Sequence, residues 1–377
     1  MNSSPTRLTA APRTFAGVVS LALASLGVNA QAQDADKFIS LSGFGTAGVV
    51  HSSLNRGDYV TDSYEPKGAG NTDATSAVVD SKFALQSDFH LYGGLSAVVQ
   101  VVIRPHPDGS YSPKIEWANV KYAVTSDLSV RLGRTALPVF MASETRLVGF
   151  ANPSARTPIE TYAQFPVSNA DGIDVSYRHA IGGATSTTQV GYGKTKVDVI
   201  GPTGALTDNL RAKITSVGDT VEIGALMVKV GWNMADITVE PVPNYVIKFQ
   251  SKIVNLGAIY DTGDWFVQGE LTRTSLGAIK RATRNAYVTG GYRFGQLTPY
   301  LGYSMVTPDD EQVKLPTVKQ NTTSLGLRWD FRKSMDLKLQ ADRVSLGTGS
   351  TGLFTNIKPG LAGSSGTMLS AAVDFVF

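Results

Sequence analysis

Ser324-Leu325-Gly326-Leu327-Arg328-Trp329-Asp330-Phe331 runs into Arg332-Lys333-Ser334 and then into Leu337-Lys338-Leu339-Gln340-Ala341-Asp342. In both runs every second residue is apolar, which is the signature of a strand with one apolar face. The short polar interval between them reads as a hairpin turn. The same pattern recurs outward from this hairpin. Ala371, Val373, Phe375 and Phe377 alternate with Ser370, Ala372, Asp374 and Val376. Earlier in the chain, Val99, Val101 and Ile103 form one such row, Leu128, Val130 and Leu132 another, and Ile173, Val175 and Tyr177 a third. Val267 and Leu271 continue it, and no stretch reads as a long amphipathic helix.

The connections alternate in length. Short turn signals stand at Tyr92-Gly93-Gly94, Thr125-Ser126-Asp127, Ile181-Gly182-Gly183, Val217-Gly218-Asp219, Asp261-Thr262-Gly263-Asp264, Phe294-Gly295-Gln296 and Arg332-Lys333-Ser334. Between them lie longer polar segments, at 53–75, 105–112, 135–171, 197–208, 234–246, 274–284, 306–320 and 345–366. This order predicts about 16 strands, and long connections on one side only are the pattern of a transmembrane antiparallel β-barrel. In lipid every backbone N–H and C=O must pair within the protein, which excludes an open sheet and allows a closed one. Each strand with its connection has about 22 residues, enough for a spanning strand of about 9–11. Tyr122, Tyr177, Tyr260, Trp265, Tyr292, Phe294, Trp329, Phe331, Phe375 and Phe377 fall at predicted strand ends, where a barrel carries an aromatic girdle. A secreted β-sandwich adhesin is the non-membrane alternative, but a sandwich has no need of short turns on one side only.

Composition agrees with an all-β membrane protein. Glycine is 38 of 377 residues, charged residues are 17% and cysteine is absent, so there is neither a disulfide framework nor a zinc–thiolate site. A formal charge of +3 is too small to imply nucleic acid. Arg7 and Arg13 precede an apolar run from Phe15 to Val28, which leads into Val28-Asn29-Ala30 and Ala30-Gln31-Ala32. That is the layout of a cleaved secretory leader over 1–32, with the barrel in 33–377; an uncleaved membrane anchor is the other reading.

Several segments resemble the general porins of the Gram-negative outer membrane. Ile39-Ser40-Leu41-Ser42-Gly43-Phe44-Gly45 looks like their opening strand, and Ser81-Lys82-Phe83-Ala84-Leu85-Gln86-Ser87 like their second. Leu128 to Arg134 is similar to the strand entering their constriction loop, and the terminal Phe377 to the outer-membrane assembly signature. The resemblance implies a 16-stranded barrel, commonly a homotrimer, with the third external loop, here 135–171, folded into the lumen. It also implies a basic cluster on the facing wall, where Lys82 and Arg134 match by local motif and Arg178 more loosely. Phe44 stands where the family often has a lysine.

The segment 135–171 carries Pro138, Phe140, Phe150 and Phe165, too apolar for a free loop, and the charges Glu144, Arg146, Arg156 and Glu160. Alternation points Lys82, Arg104, Arg131, Arg178, Arg293, Arg328 and Lys338 inward, against Asp88, Asp174, Glu270, Asp330, Asp342 and Asp374. Arg134 joins the inward bases only with a bend at Gly133. The candidate constriction is therefore Lys82, Arg104, Arg131, Arg134, Arg178, Glu144, Arg146 and Glu160. Opposed charges across a narrow lumen order water and favour polar solutes.

No catalytic, cofactor or metal site is expected. His51, His90, His106 and His179 lack metal-ligand spacing. His90 shares a face with Asp88, but no nucleophile motif of a barrel lipase or protease accompanies them. Asp309-Asp310-Glu311 reads as a solvated acidic loop. The expected function is passive diffusion of small hydrophilic solutes and ions across the outer membrane, with a weak preference for anions. The alternative is a substrate-specific channel for organic or phosphate anions. The expected partners are outer-membrane lipid and lipopolysaccharide, with no nucleic acid.

Overall fold

The computed structural model describes residues 38–377 apart from 63–64, 166, 201–205, 243–244, 278–280 and 310–317. The leader read at 1–32, and Asp310 and Glu311, lie outside the described residues.

The strands are β1 (Ile39–Ser52), β2 (Thr75–Ser76), β3 (Lys82–His90), β4 (Leu95–Ile103), β5 (Lys114–Ala123), β6 (Leu128–Ala136), β7 (Asn169–Ile181), β8 (Ala184–Ile200) and β9 (Leu206–Ile223), then β10 (Leu226–Val242), β11 (Tyr245–Asp261), β12 (Trp265–Leu276), β13 (Arg281–Tyr292), β14 (Leu297–Pro308), β15 (Gln320–Arg332), β16 (Met335–Leu346) and β17 (Ser365–Val376). From β3 to β17 each strand pairs with the next, and β1 pairs on one side with β3 and on the other with β17. The register from Phe44↔Val376 to Ser52↔Met368 closes the ring. Sixteen long antiparallel strands thus form a closed barrel, and β2 adds only two residues beside the end of β1. Closure leaves no strand edge unpaired, the condition a sheet must meet in lipid.

Side-chain alternation decides the two faces. On β15, Leu325, Leu327 and Trp329 are exposed on the outside, whereas Thr322 is buried inside. Leu132, Val254, Leu271, Leu301 and Leu369 continue the outer apolar surface. At the short-turn end Tyr260 and Trp265 lie 5.3 Å apart, Tyr292 and Phe294 4.5 Å, and Trp329 and Phe331 5.6 Å. This is an aromatic girdle at one interface.

Six of the seven short turns fall where the sequence predicts them, and the fourth does not. Val217-Gly218-Asp219 lies within β9, and the hairpin turns at Gly224-Ala225 instead. Asp219 looks like a turn residue but stays in the strand because Ser186 and Thr188 of β8 donate to its carboxylate at 2.8 and 2.6 Å. Gly224 has φ +56°, which an L residue adopts only with strain. The predicted long connections at 197–208 and 234–246 are likewise mostly strand. β8 to β11 run 17 or 18 residues each and leave only 201–205 and 243–244 between them.

The first and last long connections pack on each other at the long-loop end. Asp58 and Thr355 exchange backbone hydrogen bonds of 2.8 and 3.0 Å. Tyr59 meets Phe354 edge-on at 5.9 Å, in a cluster with Val50, Leu361 and Met368.

Candidate functional site

β6 ends at Ala136 and β7 begins at Asn169, and the segment between them runs around the inner wall. Phe140 and Tyr162, 4.9 Å between ring centroids, pack with Ile214, Ala235, Ile253 and Tyr287 on the inward faces of β9 to β13. Leu147 and Val148 pack against Phe44, Ala84 and Val102 of β1, β3 and β4. A Cβ on Gly149 would run into the Asp374 carboxylate, so only glycine fits this approach to β17. Arg328 of β15 donates to the carbonyls of Phe150 and Asn152 at 2.9 and 3.1 Å. Lys338 of β16, fully buried, bridges the Gly149 carbonyl at 2.7 Å and Asp374 at 2.8 Å.

Two buried charges of the segment fasten it. Arg156 makes a two-point contact with Asp80 at 2.7 and 3.0 Å, and also reaches Asp342 at 2.9 Å and Ser370 at 2.6 Å. Burial raises the Asp80 carboxyl, but the adjacent guanidinium outweighs it and holds the group below its ordinary range. Glu160 opens a single helical turn, Ile159–Tyr162. It accepts from Ser304 at 2.6 Å, Gln320 at 2.8 Å and Thr322 at 2.5 Å, on β14 and β15. Arg156 is compensated by two ion pairs, whereas Glu160 is held by hydrogen bonds from three neutral side chains. On the far side Glu270 accepts from the Met141 N–H at 3.3 Å and the Asn255 amide at 2.9 Å.

The remaining predicted residues divide into three groups. Arg131 faces inward, bound to Asp174 at 2.9 Å and to Glu144 of the inner segment at 3.3 Å. Lys82, Arg104 and Arg146 line one recess with Asp62, Glu65 and Asp80. In it Arg104 pairs with Asp62 at 3.1 Å, while Lys82 donates to the Asp80 carbonyl at 3.2 Å and Arg146 to the Phe165 carbonyl at 3.4 Å. Burial, followed by the charge of Asp62, pushes the Glu65 carboxyl well above its usual range. Arg178 faces inward but lies four residues from Asp174 toward the short-turn end, about 13 Å along the strand.

Two expectations are corrected. Arg134 faces outward: the register runs through Gly133↔Gly172 without a slip, so the left-handed φ of +125° at Gly133 does not exchange the faces. Arg134 instead pairs with Asp171 at 2.7 Å and donates to the Ile115 carbonyl at 3.1 Å. Glu160 faces protein rather than the lumen water, at 1% exposure. Sequence reasoning put Arg156 in the segment without giving it a role. Its partners lie 76 to 214 residues away in sequence, and no local pattern marks such contacts. Among the described residues no group of three His, Cys, Asp or Glu side chains could hold a metal ion.

A closed barrel, apolar outside and charged within, with one connection laid around its inner wall, defines a membrane-spanning channel. Such a wall arranges charge and water along the path of a passing solute. The sequence model of the Gram-negative porin family matches residues 17–348, and the chain belongs to that family. It is an outer-membrane porin, a passive diffusion channel. A comparison with curated proteins returns no match. Among solved structures, the anion-selective porin from Comamonas acidovorans is 18% identical with a TM-score of 0.59, covering 90% of this chain and 99% of that one. The trimer form of in-vitro folded OmpT from Vibrio cholerae is 11% identical with a TM-score of 0.60, covering 90% and 100%. OmpF of Salmonella typhi, in complex with daunomycin, is 14% identical with a TM-score of 0.52, covering 90% and 97%.

Proposed function

We propose that residues 137–168 set the aperture of this porin and that the recess holding Lys82, Arg104 and Arg146 gives it a weak preference for anions. The observation that carries this reading is the charge balance of the recess. Asp62 is committed to Arg104 and Asp80 to Arg156, whereas Lys82 and Arg146 donate only to backbone carbonyls. Glu65, with its carboxyl pushed upward, carries less negative charge than an exposed glutamate. Two positive charges therefore remain uncompensated by ion pairs in a confined, low-dielectric space, where they act strongly on passing ions. Small hydrophilic solutes cross by diffusion past this segment. The functional unit is a homotrimer, a reading supported by the trimer form of the similarly folded OmpT from Vibrio cholerae.

Conductance in planar bilayers with a salt gradient tests the reading. The expected reversal potential lies modestly on the anion side and moves toward cations in Lys82→Glu. A cation-side potential in the wild type overturns the anion preference. A saturable current block by one class of organic anion would point instead to a substrate-specific channel.

A further inference from the structure

The lumen holds a second recess, on the wall of β3 to β5 toward the short-turn end. It has a volume of about 330 Å³, and Gln86, Asp88, His90, Trp117, Asn119 and Lys121 line it from the inward face. The register sets them in rows. Gln86, Gln100 and Trp117 stand level, Asp88 and Asn119 come next, and His90 and Lys121 stand nearest the turns. Asp88 is about 20 Å along β3 from Lys82, and so lies well away from the recess described above.

Opposite charges line this recess without meeting. In the ladder Asp88 has Ser40 and Val98 beside it, and Lys121 has Ser96 and Arg131. Arg131 is taken by Asp174 and Glu144, whereas among the described residues neither Asp88 nor Lys121 makes an ion pair. The two are separated by two strand intervals and one row, about 12 Å between Cα atoms. The acid is nevertheless held in place. Buried Gln100 donates to the side-chain carbonyl of Gln86 at 2.7 Å, and the Gln86 amide donates to both oxygens of Asp88 at 2.9 and 3.1 Å. A carboxylate oriented by such a relay is positioned for a ligand before the ligand arrives. Trp117, half-buried, adds an aromatic ring to a wall of amides and charges.

We propose that this recess retains zwitterionic solutes of the α-amino-acid type, with the ammonium group on Asp88, the carboxylate on Lys121 and the side chain against Trp117. A carboxylate alone leaves Asp88 without a partner, and an amine alone leaves Lys121 without one. A solute carrying both charges spans the gap with a charge-assisted hydrogen bond at each end. The indole offers an apolar surface to the solute's side chain and attracts its cationic end. The site rests on the lumen being a diffusion path and is independent of the ion preference assigned to the recess at Lys82.

Block of single-channel current in planar bilayers tests this with three probes added on the short-turn side: L-phenylalanine, 2-phenylethylamine, which lacks the carboxylate, and 3-phenylpropionate, which lacks the amine. Saturable block by L-phenylalanine is expected, at a concentration at least ten-fold below that needed with either analogue. Asp88→Asn should bring L-phenylalanine to the level of 3-phenylpropionate, and Lys121→Gln to the level of 2-phenylethylamine. Trp117→Ala should weaken all three. Absence of saturable block overturns the proposal, and so does equal block by the three probes. Tightest block by 3-phenylpropionate assigns the recess to anions, tightest block by 2-phenylethylamine assigns it to cations, and either result overturns the zwitterion. An undiminished preference for L-phenylalanine in both charge variants overturns it as well. A protein that carries no current fails as a channel and takes this site with it, whereas a conducting one that treats the probes alike fails only here. The comparison among probes needs only the wild-type protein, so a variant that fails to fold leaves the test intact.

Discussion

Arg156 and Arg134 carry the same charge and have opposite fates. Arg156 is buried between Asp80 and Asp342, from two distant parts of the chain. Replacing it with methionine leaves both carboxylates buried without their cation, a change worth about 3–5 kcal/mol. Arg156→Met should therefore lower the temperature of the heat-induced gel shift and add open-channel current noise as residues 137–168 loosen. The same contact has a pH dependence. The Asp80 carboxyl is depressed in the folded protein, so its stabilising contribution is present above the ordinary carboxylate value of about 3.9 and is lost as pH falls through the lower folded value. Thermal stability should hold steady on going from pH 7 to pH 5 as far as this pair is concerned; a marked drop across that interval would assign the loss elsewhere. Arg134, on the outer face with Asp171, lies outside the conduction path. Arg134→Glu should leave the reversal potential unchanged, whereas Arg146→Glu should move it toward cations; both are read in one salt-gradient experiment.

At the scale of elements, the hairpin between β9 and β10 separates what a pattern can show from what it cannot. Gly218-Asp219 and Gly224-Ala225 are both plausible turns locally. The second wins because it brings Thr220↔Lys229 and Val217↔Trp232 into register, and because hydroxyls of β8 satisfy Asp219 within the ladder. Gly224→Val forces a branched residue into φ +56°, at a cost of about 1–2 kcal/mol. The expected result is a lower unfolding temperature with conductance unchanged, since the turn is at the end of the barrel remote from 137–168. The ends of β8 to β11 were hidden for a related reason. Beyond the apolar band the outward residues are Lys194, Lys196, Arg211 and Lys213, so apolar–polar alternation stops while the backbone ladder continues.

For the whole molecule the decisive event is closure. Phe377 and Gly43 exchange backbone hydrogen bonds of 2.9 and 3.1 Å, and β17 supplies Asp374 to Lys338 and Thr46 inside. Removing residues 365–377 would leave the edges of β1 and β16 unpaired in lipid, where each unsatisfied group costs several kcal/mol. Such a chain should show no heat-modifiable band and carry no current in bilayers. A conducting truncated form would show that another strand can close the ring.

The sequence by itself determined the barrel: strand periodicity, the order of short and long connections outside β8 to β11 and the inward faces of Lys82, Arg131, Asp174, Glu270 and Asp374 were legible. These properties repeat every two residues or are set within one turn, so neighbours along the chain suffice to reveal them. Only the tertiary structure decided which of those charges meet water. Lys338, Asp342 and Asp374 face inward as their parity requires, yet the 137–168 segment covers them. Glu160 changed from a pore charge to an anchor and Arg156 became the main fastening, because their partners are brought together by closure of the ring rather than by proximity in sequence.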